Sequence, residues 1–325
     1  MARVSWPAMP EVPVLDYDAV LSAVPPAEAI DRVREGLVRF HRGEWVMPAK
    51  VYLESPPFGD FRAMPARGGE LALLKWVTSF PDNPARGLPT VTGLICLSDA
   101  ATGELLMILD GRSVTALRTG AMAAVATAAL AAPDALTAGI IGSGLHGAWT
   151  ARCLAAAGFT AGVCHDALPG AATRLARELG PGWRAGGRRE ALACDVVCCV
   201  TPGSSVVVDV EDLHPGLHLN MLGADGPGKA EATVEAVDAC ILFCDEWEQA
   251  SHGGELTSAV RAGRVTRERV TELGAVLAGE ASGRPSAEAV TLFDSTGLAI
   301  QDLAVAGAAL EAWRAGRLEA ETVRL

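Results

Sequence analysis

The three lysines of this chain are the first candidates for chemistry, because arginine carries almost all of its other positive charge. Of the 27 Lys and Arg residues, three are lysines: Lys50, Lys75 and Lys229. An ammonium group can lose its proton when it is buried, whereas a guanidinium group effectively cannot. Lys75 stands inside an apolar run, where an isolated buried ammonium is costly. We therefore expect Lys75 to face a wet cavity or an anionic partner; the alternative is an edge strand with Lys75 in solvent.

Gly142, Gly144 and Gly147 form the pattern G-x-G-x-x-G. In a dinucleotide-binding turn the first glycine permits the tight turn, the second lets the backbone approach a pyrophosphate, and the third lets helix and strand pack closely. The N–H groups at the helix start then face the phosphates. A plain turn is the alternative, since a chain with 35 glycines produces such patterns by chance. The apolar run 138–141 before the turn, and Gly158 placed to end the following helix, favour a dinucleotide site.

An acidic residue follows at the distance expected for ribose binding. Asp166 lies 24 residues after Gly142, at the end of a predicted strand. An acid at this place binds the ribose 2′-hydroxyl of NAD, whereas NADP needs a nearby arginine for its 2′-phosphate. Ala167 follows directly, so the pattern favours NAD. Arg174 on the next helix leaves NADP as the alternative.

Two further charged residues stand where a ligand could be held. Arg118 lies about one turn into a helix predicted over 114–132, where a guanidinium facing a cleft can clamp a carboxylate. Asp225 lies in the glycine-rich loop 223–229, directly after the apolar run 217–222. Open α/β sheets bind ligands at the carboxyl ends of their strands, so Asp225 is well placed to meet a nicotinamide. An ordinary turn residue is the alternative for Asp225.

The elements that must position these residues predict an α/β fold. Strand-like runs and helical segments alternate from residue 133 to about residue 290, which predicts a Rossmann-type, doubly wound parallel sheet. Short apolar runs over 46–109 predict a second group of strands, which follows a helix over 27–40. The final helix, 298–314, is expected to rejoin that first part of the chain.

The composition excludes several classes of partner. A net charge of −12 argues against nucleic acid and anionic membranes. No uninterrupted apolar run reaches the roughly 18 residues of a membrane helix, and residues 1–7 lack a signal-peptide core. We therefore expect a cytoplasmic protein.

The eight cysteines are scattered and are expected to be reduced thiols. Pro215 and Gly216 separate His214 from His218, so no metal site is expected.

Several of these segments together resemble the ornithine cyclodeaminase and mu-crystallin superfamily. They occur in the family's order and span most of the chain. The matching segments are 74–81, Asn83-Pro84, 87–90, 116–121, the glycine turn, 223–229 and 293–299. The resemblance implies a homodimer in which residues 133–291 form a dinucleotide-binding domain. Residues 1–132 and 292–325 would form an α+β domain for substrate binding and dimerisation.

The resemblance also implies roles for particular side chains. Lys75 and Arg118 would hold a substrate carboxylate, and Asp225 would be the central acid/base residue near the nicotinamide, so that Asp225 and Lys75 are the expected catalytic residues. The substrate site would consist of Lys50, Arg62, Lys75, Thr90, Arg118, Thr296 and Gly297. The cofactor site would consist of Gly142, Ser143, Gly144, Leu145, His146, Gly147, Asp166, Thr201, Pro202 and Asp225, with NAD as cofactor and NADP as the alternative.

Arg62 departs from the pattern of the ornithine and lysine cyclodeaminases. Those enzymes carry a glutamate, associated with the cyclising amine, shortly before the Met-Pro pair that here is Met64-Pro65. A cation in its place counts against cyclodeamination and, if it points inward, suits a substrate arm that bears a carboxylate. Lys50 stands where the family often has an arginine, which weakens a bidentate clamp but keeps the charge.

These observations lead to one expected function and two alternatives. The expected function is an NAD(P)-dependent oxidoreductase acting on the carbon–nitrogen bond of a small amino or imino acid, as an imine reductase or amino-acid dehydrogenase. The first alternative is an ornithine or lysine cyclodeaminase, an ammonia-releasing lyase that recycles NAD. The second is a non-catalytic binding protein of the mu-crystallin kind, against which the joint presence of Lys75, Arg118 and Asp225 argues.

Overall fold

The structure of the chain, a computed structural model, describes residues 11–203, 205–226 and 228–324. Residues 1–10, on which the signal-peptide expectation rests, and Pro227 of the 223–229 loop lie outside this description. The strands are β1 (Glu11–Leu15), β2 (Trp45–Val46), β3 (Val51–Ser55), β4 (Gly59–Gly68), β5 (Leu71–Ser79), β6 (Val91–Asp99), β7 (Leu105–Asp110), β8 (Thr137–Ile141), β9 (Ala161–His165), β10 (Trp183–Ala185), β11 (Val196–Cys199), β12 (His218–Met221), β13 (Ile241–Cys244), β14 (Val270–Glu272), β15 (Thr291–Asp294) and β16 (Glu321–Arg324). The α-helices are α1 (Tyr17–Ala23), α2 (Pro26–His41), α3 (Gly111–Leu130), α4 (Leu145–Ala156), α5 (Ala171–Leu179), α6 (Arg188–Leu192), α7 (Val234–Asp238), α8 (Trp247–Gly253), α9 (Thr257–Arg261), α10 (Leu273–Leu277) and α11 (Ala299–Arg314).

The first sheet is mostly antiparallel. Its strand order is β16-β1-β7-β6-β5-β4-β2, and β3 pairs with β4. The strand β1 runs parallel to β7, and β16 is antiparallel to β1, so the two ends of the described chain meet at one edge. The helix α11 packs against α2, α3, β4 and β5. The final helix therefore returns to the first sheet.

The second sheet is parallel throughout, in the order β10-β9-β8-β11-β12-β15-β13-β14. This confirms the predicted Rossmann-type sheet. The strand order reverses between β8 and β11, so a crevice opens beyond the carboxyl ends of these two strands, where such sheets bind ligands.

The connections between the sheets bear on the predicted domain boundaries. The chain passes from α3 to β8 through residues 131–136, which include the predicted boundary after residue 132. The other predicted boundary, after residue 291, falls inside β15. Because β15 pairs with β12 and β13 as far as Asp294, we propose a boundary after Asp294 instead.

The helix α3 is buried on almost all sides. Within the described residues it is the one helix whose length of 20 residues and mean hydropathy of 1.3 reach the values of a membrane span. Of that stretch, 89% is buried inside the fold. A helix that is apolar all round can equally be the core helix of a large protein, and α3 occupies that position here.

Candidate active site

Lys75 lies in the middle of the first sheet with its side chain buried. The strand β5 is paired with β4 on one side and β6 on the other, which excludes the edge-strand alternative. Lys75 is 1% exposed, whereas its neighbours Leu74 and Trp76 face outward. The ammonium group donates to Asp302 Oδ2 at 2.6 Å and to Thr115 Oγ1 at 3.4 Å. The anionic partner is therefore Asp302 of α11, a residue that the sequence analysis missed.

Arg118 lies beside Lys75, on the part of α3 that faces α11. Its Nη1 donates to Gln301 Oε1 at 3.1 Å, and its Nε lies 3.4 Å from Asp302 Oδ1. A Cβ atom added to Gly297 would lie 2.8 Å from Arg118 Nη1, and the φ angle of Gly297 is +76°. A side chain at this position would be strained and would displace the guanidinium. Lys75 and Arg118 therefore place two positive charges beside one buried carboxylate, that of Asp302.

Asp245 fixes the backbone of the turn that contains Thr296 and Gly297. Its carboxylate accepts hydrogen bonds from Thr296 N at 2.8 Å, Thr296 Oγ1 at 3.0 Å and Gly297 N at 3.1 Å. Burial raises the pKa of Asp245 to about 6, although the charge of Lys50 and these hydrogen bonds lower it. On the other side of the turn, Lys50 Nζ donates to Thr296 O at 2.7 Å. Asp245 follows β13 directly, and no sequence pattern singled it out.

Lys50 and Lys75 have pKa values close to neutrality. Burial lowers the pKa of Lys50 to about 8, against the raising effect of Asp225 and Asp245. Burial likewise lowers the pKa of Lys75 to about 8, although Asp302 raises it. Both ammonium groups therefore lose their charge just above neutral pH, unlike the arginines beside them.

Arg62 points into the site, where acidic residues of this chain bind it. Its Nε and Nη2 donate to the two oxygens of Asp60 at 2.5 and 3.2 Å, and its Nη1 donates to Asp225 Oδ2 at 2.8 Å. The Tyr52 ring lies under the guanidinium, with its centre 5.2 Å from Arg62 Cζ. Arg62 thus holds Asp225 in place.

Asp225 is a partly open carboxylate between two cations. Its side chain is 38% exposed, and Lys229 Nζ donates to the oxygen that Arg62 leaves free. Burial raises the pKa of the Asp225 carboxyl, but the charges of Lys229 and Arg62 outweigh that effect and hold the pKa well below its usual value. The group is therefore ionised at neutral pH. It can stabilise a cation or accept a proton, but it holds no proton to donate.

The glycine turn has the geometry that a dinucleotide requires. The φ angle of Gly142 is +98°, and a Cβ atom at Gly147 would lie 1.8 Å from Gly142 O, so strand and helix approach each other as only glycine allows. A Cβ atom at Gly144 would meet no atom of the described residues within 4 Å. The space beside Gly144 is thus open where a pyrophosphate would approach the backbone. Leu145 and His146 begin the helix that follows.

Asp166 adjoins this turn directly. Its Oδ2 accepts a hydrogen bond from Ser143 N at 2.6 Å, and its Oδ1 accepts one from Leu168 N at 2.7 Å. A carboxylate oxygen has two lone pairs, so each oxygen can accept a further bond from a ribose hydroxyl. This position at the end of β9 fits the acid that binds the 2′-hydroxyl.

The helix α3 connects the glycine turn to the pair of cations Lys75 and Arg118. A Cβ atom at Gly120 of α3 would lie 2.4 Å from Trp149 O of α4, so the two helices pack backbone against backbone. Arg118 stands two residues before this contact. Burial and the charges of Arg118 and Lys75 lower the pKa of His146 to about 4, although Asp225 raises it. His146 therefore lies, neutral, within the electrostatic range of the substrate cations.

Glu231, a further residue that the sequence analysis missed, joins the loops after β11 and β12. Its carboxylate accepts hydrogen bonds from Thr201 N and Gly223 N, both at 2.7 Å. Glu231 is 0% exposed, and burial raises its pKa. The Thr201 and Asp225 loops are therefore fixed to each other. A buried acid among ordinary residues has no local signature, so only its partners identify it.

Some predicted residues lie at the edge of this cluster. Thr90 ends the exposed loop 81–90, where its carbonyl oxygen accepts a hydrogen bond from Phe80 N at 2.8 Å. Pro202 is exposed after Thr201. Thr90 makes none of the contacts described above for the cations. The structure brings together Lys50, Arg62, Lys75, Arg118, Asp225, Thr296 and Gly297, but not Thr90.

A cavity of about 760 Å³ lies elsewhere, at the C-terminal end of α3, and no predicted site residue lines it. Arg284 lines this cavity, but its guanidinium donates to backbone oxygens that include those of Leu130 and Gly216.

In the part of the chain that the structure describes, no group of three or more His, Cys, Asp or Glu side chains is arranged to hold a metal ion. All eight cysteines are free thiols.

Comparison with known proteins identifies the family of this chain and several similar structures. Residues 14–317 match the model of the ornithine cyclodeaminase/mu-crystallin family. An alanine dehydrogenase of Archaeoglobus fulgidus is 40% identical over 302 residues, which cover 91% of this chain and 93% of the relative. An archaeal alanine dehydrogenase dimer with bound NAD superposes with a TM-score of 0.92 at 37% identity, over 97% of this chain and 100% of the other. The Thermococcus litoralis Δ1-pyrroline-2-carboxylate reductase, in complex with NADH and L-proline, gives a TM-score of 0.91 at 26% identity over 97% and 100% of the two chains. The chain belongs to the ornithine cyclodeaminase/mu-crystallin family.

Proposed function

We propose that this protein is an NAD-dependent oxidoreductase that acts on the carbon–nitrogen bond of a small α-amino or α-imino acid. One observation carries the proposal: α3 carries Arg118, which lies beside Lys75 of β5, and α3 packs backbone against backbone on α4, the helix of the dinucleotide turn. The related alanine dehydrogenase and pyrroline-2-carboxylate reductase are consistent with it. We also propose two domains, one formed by residues 133–294 and the other by the rest of the chain, and a cytoplasmic location.

Different side chains would bind the substrate carboxylate and stabilise the charge on the substrate nitrogen. Lys75, Arg118 and Lys50 would hold the substrate carboxylate and fix the α-carbon. The nicotinamide, held by the glycine turn and Asp166, supplies the hydride acceptor or donor. The substrate nitrogen is cationic as an iminium, and the ionised Asp225 would stabilise that charge.

The pairing of the acidic side chains weighs against cyclodeamination. That reaction needs a place for the side-chain amine of the substrate. The carboxylates on that side of the site, Asp60 and Asp225, are already paired with Arg62, and Asp225 also with Lys229. A cationic substrate arm would meet Arg62 before it met a free acid. A substrate with a neutral or acidic side chain suits this site better.

The assay follows absorbance at the reduced-nicotinamide band. The protein is incubated with NADH or NADPH and a panel of cyclic imines or 2-oxo acids with amines. Parallel samples contain NAD with amino acids, including ornithine and lysine, and ammonia is measured alongside. We expect stoichiometric cofactor turnover and, because Asp166 would bind the ribose 2′-hydroxyl, a preference for NADH over NADPH. Release of ammonia with a cyclic product and no net cofactor change would instead identify a cyclodeaminase.

The affinity for a substrate carboxylate is predicted to fall as the pH rises through about 8. The pKa values of Lys50 and Lys75 are lowered, so their positive charge is present below that pH and lost above it. Calorimetric titration of the protein–NADH complex with pyruvate, whose charge is constant in this range, measures the effect. Affinity should fall about tenfold per pH unit for each proton lost. Lys50→Arg, which cannot lose its charge, should make the decline shallower; a flat profile would contradict the assignment.

We propose that the protein is a homodimer that pairs through the outer face of the first sheet. This face is apolar: Leu53 is 58%, Leu74 44%, Trp76 40% and Leu94 47% exposed. Exposed apolar patches of this kind mark association sites. The related archaeal alanine dehydrogenase is a dimer, which supports a second copy of this chain as the partner.

Leu94→Asp is expected to convert the dimer into a monomer, because it would bury a charge at the centre of the interface without a partner. Light scattering after size-exclusion chromatography measures the mass. Leu136→Asp is the matched control, since Leu136 is 75% exposed but lies outside this sheet. A mass unchanged by Leu94→Asp would place the interface elsewhere, and a monomeric unmodified protein would refute the dimer itself.

A further inference from the structure

Asp302 is a fully buried carboxylate enclosed by the substrate cations. It lies on α11 and is 0% exposed. Its Oδ2 accepts the 2.6 Å hydrogen bond from Lys75, and its Oδ1, which has no hydrogen-bond partner among the described residues, lies 3.4 Å from Arg118 Nε. Taking such a charge out of water is costly unless cations compensate it. The pairing therefore ties three elements together: β5, α3 and α11.

The contacts leave donors of both cations free for a ligand. Lys75 has three N–H donors and uses two, toward Asp302 and Thr115. Arg118 has five N–H donors and uses one, toward Gln301. Asp302 contacts both cations from the α11 side, and each cation keeps N–H donors that a substrate carboxylate can bind.

We propose that Asp302 is a positioning residue that keeps the Lys75 ammonium charged and directs Lys75 and Arg118 at one substrate carboxylate. This inference rests on the proposed function, because it assumes that the cations bind a substrate carboxylate. Asp302 itself is buried behind the cations and acts through them.

The charges around Lys75 define the expected effect of removing Asp302. Burial lowers the pKa of Lys75, and the nearby positive charges of Arg118 and Lys50 lower it further, while Asp302 raises it. His146 also lies within range and is neutral near pH 7, because its pKa is lowered to about 4. Asp302 is thus the anion that opposes these influences, which still leave the pKa of Lys75 below its usual value. Without it, Lys75 would be neutral at a pH where the unmodified protein still carries the charge.

The test compares Asp302→Asn with the unmodified protein by calorimetric titration of the NADH complex with pyruvate across the pH range. We expect pyruvate to bind about tenfold or more weakly near neutral pH, and the midpoint of the pH profile to move down by about one unit or more. The affinity for NADH should not change. A merely structural role would lower thermal stability without moving the midpoint.

Two further variants keep the test decisive. Asp302→Glu retains the charge but displaces it, so pyruvate should bind more weakly with the midpoint unchanged; this variant decides the matter if Asp302→Asn does not fold. Glu311→Gln is the matched control, because Glu311 lies on the same helix, is exposed and pairs with Arg32. If Asp302→Asn or Asp302→Glu binds pyruvate with the same affinity and the same pH midpoint as the unmodified protein, this proposal is overturned. The proposed function would then still stand. An unmodified protein that binds no pyruvate at any pH would overturn both this proposal and the carboxylate site of the proposed function.

Discussion

Asp225→Asn is expected to reduce kcat by about 100- to 1,000-fold while the affinity for NADH stays within about twofold. The Asp225 carboxylate is held between Arg62 and Lys229, whose charges keep its pKa well below the usual value in spite of burial. In the proposed function it would therefore present a fixed negative charge to the substrate nitrogen. Asparagine has nearly the same shape but lacks that charge, so the cationic transition state loses its counter-ion.

Absorbance of the reduced cofactor measures turnover of this variant, and quenching or enhancement of NADH fluorescence measures cofactor binding. Glu211→Gln, which changes an exposed carboxylate of the same parallel-sheet part of the chain, serves as the control and should leave both quantities unchanged. Full turnover by Asp225→Asn would show that another group stabilises the nitrogen. A parallel loss of NADH binding would show that the main role of Asp225 is to bind the cofactor.

Gly144→Ala is expected to weaken NADH binding by about tenfold or more without lowering the thermal stability of the unliganded protein. In the part of the chain that the structure describes, a Cβ atom at Gly144 meets no atom within 4 Å, and the φ angle of Gly144 is −78°, so the fold can accept the methyl group. The methyl group would occupy the space in which the pyrophosphate approaches the backbone. A loss of tenfold corresponds to about 1.4 kcal/mol of binding free energy.

Gly147→Ala provides the contrast. A Cβ atom there would lie 1.8 Å from Gly142 O, so α4 must move away from β8 and the melting temperature should fall. Thermal melts and NADH titrations of the two variants separate the roles of the two glycines. Unchanged NADH affinity in Gly144→Ala would exclude the expected pyrophosphate position.

Much of the secondary structure is predictable because its signals are local. Apolar periodicity predicts a helix over 27–40, and the structure has α2 over Pro26–His41. The apolar runs that predict strands over 46–109 include β5 over Leu71–Ser79. The short strands β1, β10, β14 and β16 were not predicted. The pairing of β1 with β16 joins residues from opposite ends of the chain, and a strand of three to five residues has too short a pattern to show this.

In the candidate site, too, local signals were predictable and contacts between distant parts of the chain were not. A lysine inside an apolar run shows from sequence alone that Lys75 needs a partner, but the partner, Asp302, is 227 residues away. Arg62 could be recognised as a cation in an unusual place, yet only its hydrogen bond to Asp225, 163 residues away, shows that it holds a carboxylate of this chain. Glu231 and Asp245 had no signature at all, because their function lies in the backbone N–H groups that they bind.

The sequence by itself determined the dinucleotide turn, the parallel sheet and most of the residue types of the site, because glycine spacing, strand alternation and buried charge are properties of short segments. Only the tertiary structure decided which charges compensate each other and which side chains remain free for a ligand. The physical reason is that the pKa and the free donors of an ionisable group depend on its distance from other charges and on its burial. Both are fixed when β5, α3 and α11 pack together, and no single segment contains that information.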